Sequence, residues 1–190
     1  MKQMEEMILR EGEVLPGDIL KVGSFLNQNI DTVLLGQMAE EIARLFKDQG
    51  VTKIVTIEAS GIAIAAAAGI AMGVPVLFAK KHKTSNVDGS VYSTIVHSFT
   101  HNEDYNVVVS RDYLTSADKV LLVDDFLANG KALEGLMDLC NQAGAELVGI
   151  AIAIEKCFTG AGDKLRAQGI KLESLAMIES MSEGGITFRS

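Results

Sequence analysis

The stretch that most constrains the fold of this chain covers residues 120–132, Val-Leu-Leu-Val-Asp-Asp-Phe-Leu-Ala-Asn-Gly-Lys-Ala. It begins with an apolar run containing β-branched valines, which predicts a strand buried on both faces. Asp124 and Asp125 follow at once. Since carboxylates inside a sheet would be desolvated and unpaired, we expect both at the carboxyl end of the strand. A small loop and an amphipathic helix that stops at Gly144 come next. These features predict half of a βαβ unit with ligand-binding groups at one edge of a sheet.

The loop of this unit suits a phosphate group. Its backbone N–H groups lie at a predicted helix N-terminus, where the helix dipole and hydrogen bonds favour a phosphate monoester. The residues concerned are Ala128, Asn129, Gly130, Lys131 and Ala132. The preceding carboxylates can accept hydrogen bonds from ribose hydroxyls or from water on a cation. A Walker A loop is disfavoured, because Ala132 replaces its Ser/Thr and its first glycine is missing. An ordinary strand-to-helix turn with a solvated acidic pair is the other alternative.

A second loop has similar properties. A predicted strand at 53–57 leads into a loop of small residues and then an alanine-rich helix that reaches Met72. The loop consists of Glu58, Ala59, Ser60 and Gly61. Its glycine allows backbone N–H groups to face an anion. The next predicted strand, 75–79, is followed by Lys80, Lys81 and Lys83, which could neutralise pyrophosphate. A plain tight turn and a solvated lysine cluster are the alternative interpretations.

Strands alternate with helices along most of the chain. A helix is expected from Asp31 or Asn29 to about Gly50, and three elements follow the central unit. They are a strand at 147–154, a short helix within 160–169 and a strand at 171–178. We therefore predict an α/β fold with a mainly parallel, doubly wound sheet flanked by helices, in a single domain over residues 1–190.

Two segments depart from this alternation. Residues 1–30 contain a turn signal at 15–18, a short strand at 19–22 and a polar loop at 25–29, and they either pack on the domain or cover a ligand. From about 84 to 113 the pattern indicates an antiparallel, two-stranded arm, which we expect to be flexible and to serve as a lid.

Charge and composition exclude several function classes. The net charge of −8 argues against broad binding to nucleic acid or to anionic membranes. The longest apolar stretch, 62–72, is too short to span a bilayer and the first residues are charged, so we expect a cytoplasmic protein. Cys140 and Cys157 lack metal-ligand spacing and are expected to be reduced thiols. The histidines, His82, His97 and His101, also lack ligand spacing.

The chain resembles the type I phosphoribosyltransferases over nearly its whole length, and most closely the bacterial members that act on xanthine. The specific likeness lies in residues 124–132, and the segments 20–27 and 155–158 strengthen it. The resemblance implies that residues 1–30 form a small hood and that residues 84–113 form a mobile cover over the substrate.

The same resemblance implies a use for each candidate loop. The 128–132 loop would bind the 5-phosphate of phosphoribosyl pyrophosphate (PRPP), and Asp124 and Asp125 would meet its ribose hydroxyls. The 58–61 loop would receive the pyrophosphate, with Lys80 or Lys81 alongside. These acidic and basic side chains are the candidate catalytic residues. Mg²⁺ would be the cofactor, brought in with PRPP rather than held directly by protein ligands.

Residues after the strand at 147–154 are candidates for binding a base. Phe158 could stack on it and Lys156 could donate to a carbonyl, although a strand-end lysine that extends into water is the alternative. In the family members that act on xanthine, the base is gripped at the positions of Leu20, Asn27 and Lys156. The implied reaction converts xanthine and PRPP to xanthosine monophosphate and pyrophosphate, and the implied assembly is a homodimer.

The chain also departs from the general family pattern. Many members carry Thr where Asn129 and Ala132 stand, so the loop must use backbone N–H groups and the Asn129 amide instead. Hypoxanthine-guanine members carry an acidic residue where Ala128 stands, which weakens that assignment and leaves no obvious general base. Two alternatives stay open: the same reaction with another purine, and a non-catalytic regulator that senses PRPP.

Overall fold

A computed structural model of the chain describes residues 1–82, 89–98, 103–182 and 184–189. The helices are α1 (Lys2–Glu11), α2 (Thr32–Phe46), α3 (Gly61–Met72), α4 (Lys131–Ala143) and α5 (Ala161–Ala167). The strands are β1 (Glu13–Leu15), β2 (Ile19–Lys21), β3 (Lys53–Ile57), β4 (Val76–His82), β5 (Val91–Ser98), β6 (Glu103–Ser110), β7 (Lys119–Leu127), β8 (Glu146–Lys156), β9 (Leu172–Ser182) and β10 (Gly185–Phe188). A π-helical turn at Gly23–Asn27 and a 3₁₀ turn at Cys157–Thr159 complete the described elements.

An eight-stranded sheet in the order β10-β9-β8-β7-β3-β4-β6-β5 lies at the centre of the molecule. The strands from β9 to β4 in this order run parallel to one another. The edges run antiparallel, with β10 on one side and the β6–β5 hairpin on the other. The predicted mainly parallel α/β sheet is therefore confirmed.

Helices cover both faces of the sheet, because its central strands are apolar on both sides. In β7, Leu121 and Val123 face the core shared with α1, α2 and α3. The alternate residues Val120 and Leu122 face a second core, which includes Leu136 of α4. This alternation matches the two-residue repeat of a strand that is buried on both faces. Within the described residues, every helix is too short or too polar to cross a lipid bilayer.

The prediction for β7 was correct in position but too short. We expected the strand to end before Asp124, whereas it continues to Leu127 and pairs Asp124 with Ile152 of β8. The register with β3 ends earlier, at Leu122. From there on β7 is supported by β8 on one side and approached by the start of α3 on the other. The carboxylates therefore lie within the strand, beside the point where β3 turns into α3.

The N-terminal segment forms more regular structure than predicted. The strand expected at 19–22 is present as β2, which pairs with β1 around a turn in which Gly17 and Asp18 have positive φ. The polar loop expected at 25–29 begins instead as part of the π-helical turn, in which Phe25 and Leu26 are buried in the core. The prediction of a polar loop was wrong for these two residues because their apolar side chains fill the core.

The antiparallel arm is present as the β5–β6 hairpin, which extends the sheet from β4. β4 itself runs to His82 rather than ending at Ala79, so Lys80 and Lys81 lie in the strand and pair with β6. The expected lid function also concerns residues 83–88 and 99–102, which lie outside the described residues, as do Lys83 and His101. The tail, left unassigned from the sequence, supplies β10 at the edge of the sheet.

Candidate active site

The candidate residues gather at one edge of the sheet. β8, β7, β3 and β4 are parallel neighbours, so their carboxyl ends meet at the same edge. The 58–61 loop follows β3, the 128–132 loop follows β7, and Lys156 ends β8. Crevices at this edge of a parallel sheet are the usual place for ligands in such folds.

The 58–61 loop contacts β4 directly. The backbone N–H of Lys81 donates to Oε1 of Glu58 at 2.6 Å. The peptide bond between Glu58 and Ala59 is cis. The ammonium of Lys81 lies 5.0 Å from the ring centre of Tyr105, on β6. Lys80 is exposed and, as the preceding residue of the same strand, lies on the opposite face of the sheet. The structure therefore brings the predicted anion loop and Lys81 together, and it adds Tyr105, which the sequence gave no reason to select.

Asp124 and Asp125 are almost completely buried, with 5% and 9% of their surface exposed. The backbone N–H of Asp125 donates to Oδ1 of Asp124 at 2.9 Å. Burial raises the pKa of Asp124 well above its usual range and the charge of Asp125 raises it further, while the charge of Lys81 opposes this. Asp124 is thus held ready to carry a proton or to accept a ligand that compensates its charge.

The start of α3 lies against this acidic pair. A Cβ placed on Gly61 would lie 3.0 Å from Oδ1 of Asp124 and only 2.2 Å from Oγ1 of Thr56. Thr56 is fully buried, and its hydroxyl has no hydrogen-bond partner among the described residues. Sequence reasoning did not select Thr56, although a hydroxyl in the otherwise apolar strand end Ile-Val-Thr-Ile was a visible signal.

The 128–132 loop turns sharply into α4. Gly130 adopts the left-handed conformation, with φ of 80°, which favours glycine. Oδ1 of Asn129 accepts from the backbone N–H of Lys131 at 3.2 Å, so part of the amide is used to shape the turn. The ammonium of Lys131 pairs with Glu134 at 2.6 Å. The side chain of Ala132 packs against the apolar core, so this position offers the loop no hydroxyl group.

Lys156 contacts the N-terminal hairpin. Its ammonium donates to the backbone carbonyl of Asp18 at 2.7 Å and lies 5.6 Å from the ring centre of Phe126. Burial lowers the pKa of Lys156, and the charge of Asp18 opposes the change. The N-terminal segment therefore reaches the end of β8, as a hood would.

The other three candidate residues for binding the base differ in how much of their surface is exposed. Phe158 follows in the 3₁₀ turn and is 42% exposed, which leaves its ring available for stacking. Asn27 is exposed at the end of the π-helical turn. Leu20 packs in the core with only 7% of its surface exposed, so in this conformation it offers little surface to a ligand.

Glu155, which sequence reasoning did not assign, anchors the end of β8. It is fully buried, accepts from both terminal nitrogens of Arg166 at 2.9 and 2.6 Å, and accepts from Ser174. Burial tends to raise the pKa of Glu155, but the hydrogen bonds from Arg166 and Ser174 outweigh it and leave the pKa below its ordinary value. A carboxylate at the end of an apolar run was visible in the sequence, but its partner 11 residues away was not.

The donor set suits a magnesium ion that arrives with a diphosphate. Mg²⁺ prefers oxygen ligands and keeps several waters, so it is commonly held by one or two carboxylates together with substrate phosphates. The described residues contain no group of three or more His, Cys, Asp or Glu side chains placed to hold a metal. Asp124 and Asp125 could accept hydrogen bonds from waters on such an ion, whose direct ligands would come from substrate and water.

This fold, with small-residue loops and charged side chains at the carboxyl edge of its sheet, is typical of proteins that bind phosphorylated ligands. Residues 25–168 match the family model described as the phosphoribosyl transferase domain. The chain belongs to the phosphoribosyltransferase family, and the resemblance stated from the sequence is confirmed.

Curated relatives share its full length. The chain is 52% identical to a xanthine phosphoribosyltransferase of Finegoldia magna over 99% of both proteins. It is 50% identical to one of Bacillus thuringiensis, covering 99% of this chain and 95% of that protein. It is 46% identical to one of Limosilactobacillus fermentum, covering 100% and 97%.

Solved structures of adenine phosphoribosyltransferases share the fold. The enzyme from Giardia lamblia in complex with 9-deazaadenine has a TM-score of 0.76 at 22% identity, over 90% of this chain and 96% of that one. The enzyme from Rhodothermus marinus has a TM-score of 0.71 at 20% identity, over 92% and 98%. At these identities the likeness concerns the fold alone.

Proposed function

We propose that the protein transfers the 5-phosphoribosyl group of PRPP to xanthine, giving xanthosine 5′-monophosphate and pyrophosphate in purine salvage. The observation that carries the proposal is the meeting of the buried acidic pair, the 58–61 loop and the 128–132 loop at one sheet edge. The choice of xanthine is supported by Lys156 at that edge and by the names of relatives that are about half identical over the full length.

The two loops divide the charged ends of PRPP between them. Backbone N–H groups of the 128–132 loop bind the 5-phosphate at the N-terminus of α4. Asp124 and Asp125 bind the ribose hydroxyls, which also compensates the buried Asp124. The 58–61 loop receives the pyrophosphate next to Lys80 and Lys81, whose charges stabilise the leaving group.

The reaction exchanges one bond at C1 of the ribose for another. The bond from C1 to a pyrophosphate oxygen breaks with both electrons going to pyrophosphate, and the ribose becomes oxocarbenium-like. A purine nitrogen bonds to C1, and the proton that this nitrogen carried passes to the released pyrophosphate or to solvent. Magnesium bound with PRPP supplies positive charge against the leaving pyrophosphate. The lysines and the N–H groups of the two loops hold both charged ends of the substrate while the bond breaks. Closure of the arm excludes water, which would otherwise hydrolyse the activated sugar.

Lys156 selects the base by its charge. Xanthine is a comparatively acidic purine with two carbonyl groups, so an ammonium suits it better than it suits adenine. For xanthine to bind, the ammonium must exchange the Asp18 carbonyl for a carbonyl of the base. Asn27 can both donate and accept, Phe158 stacks on the ring, and Leu20 borders the site once the hood adjusts.

We further propose that the protein acts in the cytoplasm as a homodimer. The outward face of α3 supports the second part of this proposal. The helix contains no polar or charged side chain, and Ile70 on its outer side is 84% exposed. An apolar face of this kind on a surface helix suits burial against a second copy.

The experiment that tests the function is a turnover assay with a panel of bases. Purified protein is supplied with PRPP and magnesium, and product is measured separately with xanthine, guanine, hypoxanthine, adenine and orotate. A strong preference for xanthine is expected. Preference for another base would overturn the base assignment and leave the PRPP site in place. Binding of PRPP without turnover of any base would favour a PRPP-sensing regulator.

A further inference from the structure

The hydroxyl group of Thr159 links the 128–132 loop to the end of β8. Oγ1 of Thr159, in the 3₁₀ turn after β8, lies 2.5 Å from the carbonyl oxygen of Ala128. The same oxygen lies 2.8 Å from the carbonyl oxygen of Lys156. A hydroxyl has one proton, so the two carbonyls share it. Ala128 and Thr159 are 31 residues apart in the chain, so this contact exists only in the folded molecule.

The carbonyl of Ala128 belongs to the same peptide unit as the N–H of Asn129. A trans peptide is planar, with its C=O and N–H on opposite sides, so a fixed carbonyl also fixes the direction of the N–H. The N–H of Asn129 is one of the donors proposed for the 5-phosphate. The hydroxyl of Thr159 therefore orients a phosphate donor without touching the phosphate itself.

The surroundings make this contact important to the loop. Ala132 carries no hydroxyl, and Oδ1 of Asn129 already accepts from Lys131, so the loop depends on correctly aimed backbone N–H groups. The segment after Thr159 lies against the loop as well. A Cβ placed on Gly130 would lie 3.5 Å from the Cβ of Ala161, at ordinary contact distance.

We infer that Thr159 is a positioning residue for PRPP: it aims the phosphate-binding peptide of the 128–132 loop and sets the position of that loop relative to Lys156. The inference deepens the proposed function and rests on it for the identity of the ligand. It assigns to Thr159 an effect on the ribose-phosphate half of PRPP, while the pyrophosphate half is bound by the 58–61 loop.

The test uses Thr159→Val, which keeps the shape and removes the hydroxyl, and Thr159→Ser, which keeps the hydroxyl. Affinities for ribose 5-phosphate and for pyrophosphate with magnesium are measured separately by calorimetry on the full chain. Loss of one hydrogen bond is expected to weaken ribose 5-phosphate binding about two- to tenfold in Thr159→Val. Pyrophosphate binding is expected to stay unchanged, and Thr159→Ser is expected to bind both ligands like the parent protein.

A matched control is available at the other end of the sheet. Thr52 also uses its hydroxyl with the backbone of a distant residue, accepting from the N–H of Lys119 at 2.8 Å. Thr52→Val is expected to leave both affinities unchanged. An unchanged ribose 5-phosphate affinity in Thr159→Val would overturn the inference, and so would an equal loss of affinity for both ligands. Because these measurements need no base, a failure of xanthine turnover would refute the proposed function without affecting their result.

Discussion

At Gly61 the first turn of α3 lies against two side chains of the candidate site, Thr56 and Asp124. Any side chain at this position would overlap the Thr56 hydroxyl, since an added Cβ would lie 2.2 Å from Oγ1. We predict that Gly61→Ala lowers the free energy of unfolding by about 1–3 kcal/mol, as overpacking of a rigid core does. Removing the obstructing hydroxyl in Thr56→Ala/Gly61→Ala is expected to recover part of the loss. Urea unfolding of the two single variants and the double variant measures the coupling.

Gly36 is the control for this cycle. It lies within α2, and an added Cβ would meet nothing within 4 Å. Gly36→Ala is therefore expected to keep or raise stability, because alanine is the better helix residue. Strictly additive effects of Thr56→Ala and Gly61→Ala would contradict the proposed contact.

Lys156 carries the base preference in the proposed function. We predict that Lys156→Ala raises the KM for xanthine far more than the KM for PRPP, because the ammonium would contact only the base. Steady-state kinetics with each substrate varied in turn measures both constants. An equal rise in the two constants would contradict this role.

Lys171 offers a control of matched geometry. Its ammonium donates to the carbonyl of Leu45 at 2.7 Å and lies 4.9 Å from the ring centre of Phe46, away from the candidate site. Lys171→Ala is expected to leave both KM values unchanged.

Single residues differed in how far their sequence context revealed them. Asp124 and Lys156 were recognisable because each stands close to the end of a strong apolar run. Thr159 and Tyr105 were not, since their importance comes from contacts to Ala128 and Lys81 that the fold alone creates. A hydroxyl in a turn carries no signal of the distant carbonyl that it binds.

Among the elements, the end of β8 is fastened to α5 by the ion pair between the buried Glu155 and the partly buried Arg166. A carboxyl whose pKa is lowered by folding contributes stability above its unfolded pKa, and this contribution is lost as the pH falls through the folded pKa. We predict that Arg166→Met lowers the free energy of unfolding by about 3 kcal/mol at neutral pH, because Glu155 is left buried without a counter-charge.

The pH dependence of the stability of Arg166→Met distinguishes loss of the ion pair from a nonspecific loss of stability. Without Arg166, burial dominates and the pKa of Glu155 should rise above its ordinary value, so the carboxyl takes up a proton as the medium is acidified. The stability deficit of Arg166→Met is therefore expected to shrink between pH 7 and about pH 5 in urea unfolding. Arg44→Met, at the exposed pair with Glu41, is expected to match the parent protein at both pH values. A deficit that stays constant or grows on acidification would contradict the assignment.

Elements were predictable in kind and order but not in length. The helices and parallel strands follow from apolar periodicity. Of the two caps predicted for α2, Asp31 and Asn29, the structure uses Asp31 through its bonds to Val33 and Leu34. β4 and β7 run further than predicted because β6 and β8 supply hydrogen-bonding partners beyond the first polar residues of each strand. Such partners depend on register between distant strands, which local sequence does not encode.

At the scale of the whole molecule, the proposed dimer interface lies on the outward face of α3, and a charge placed there tests it. We predict that Ile70→Lys shifts the protein from dimer to monomer in light scattering at micromolar concentration, because a charge would be buried at the centre of an apolar interface. Leu9→Lys changes a residue that is also well exposed, on α1, and is expected to leave the mass unchanged. A monomeric parent protein, or dissociation by Leu9→Lys but not by Ile70→Lys, would contradict this placement.

The order of strands in the sheet also governs how the chain can be assembled. β3 lies between β4 and β7, yet β7 is synthesised only after the whole β5–β6 hairpin. Thr52 and Lys119, which bond where β3 and β7 begin, are 67 residues apart, and closing so long a loop costs entropy before any contact compensates for it. One loop of the proposed PRPP site follows β3 and the other follows β7. The two loops can therefore come together only after β7 has been synthesised and has paired with β3, so a nascent chain on the ribosome cannot form the proposed PRPP site before its central sheet has closed.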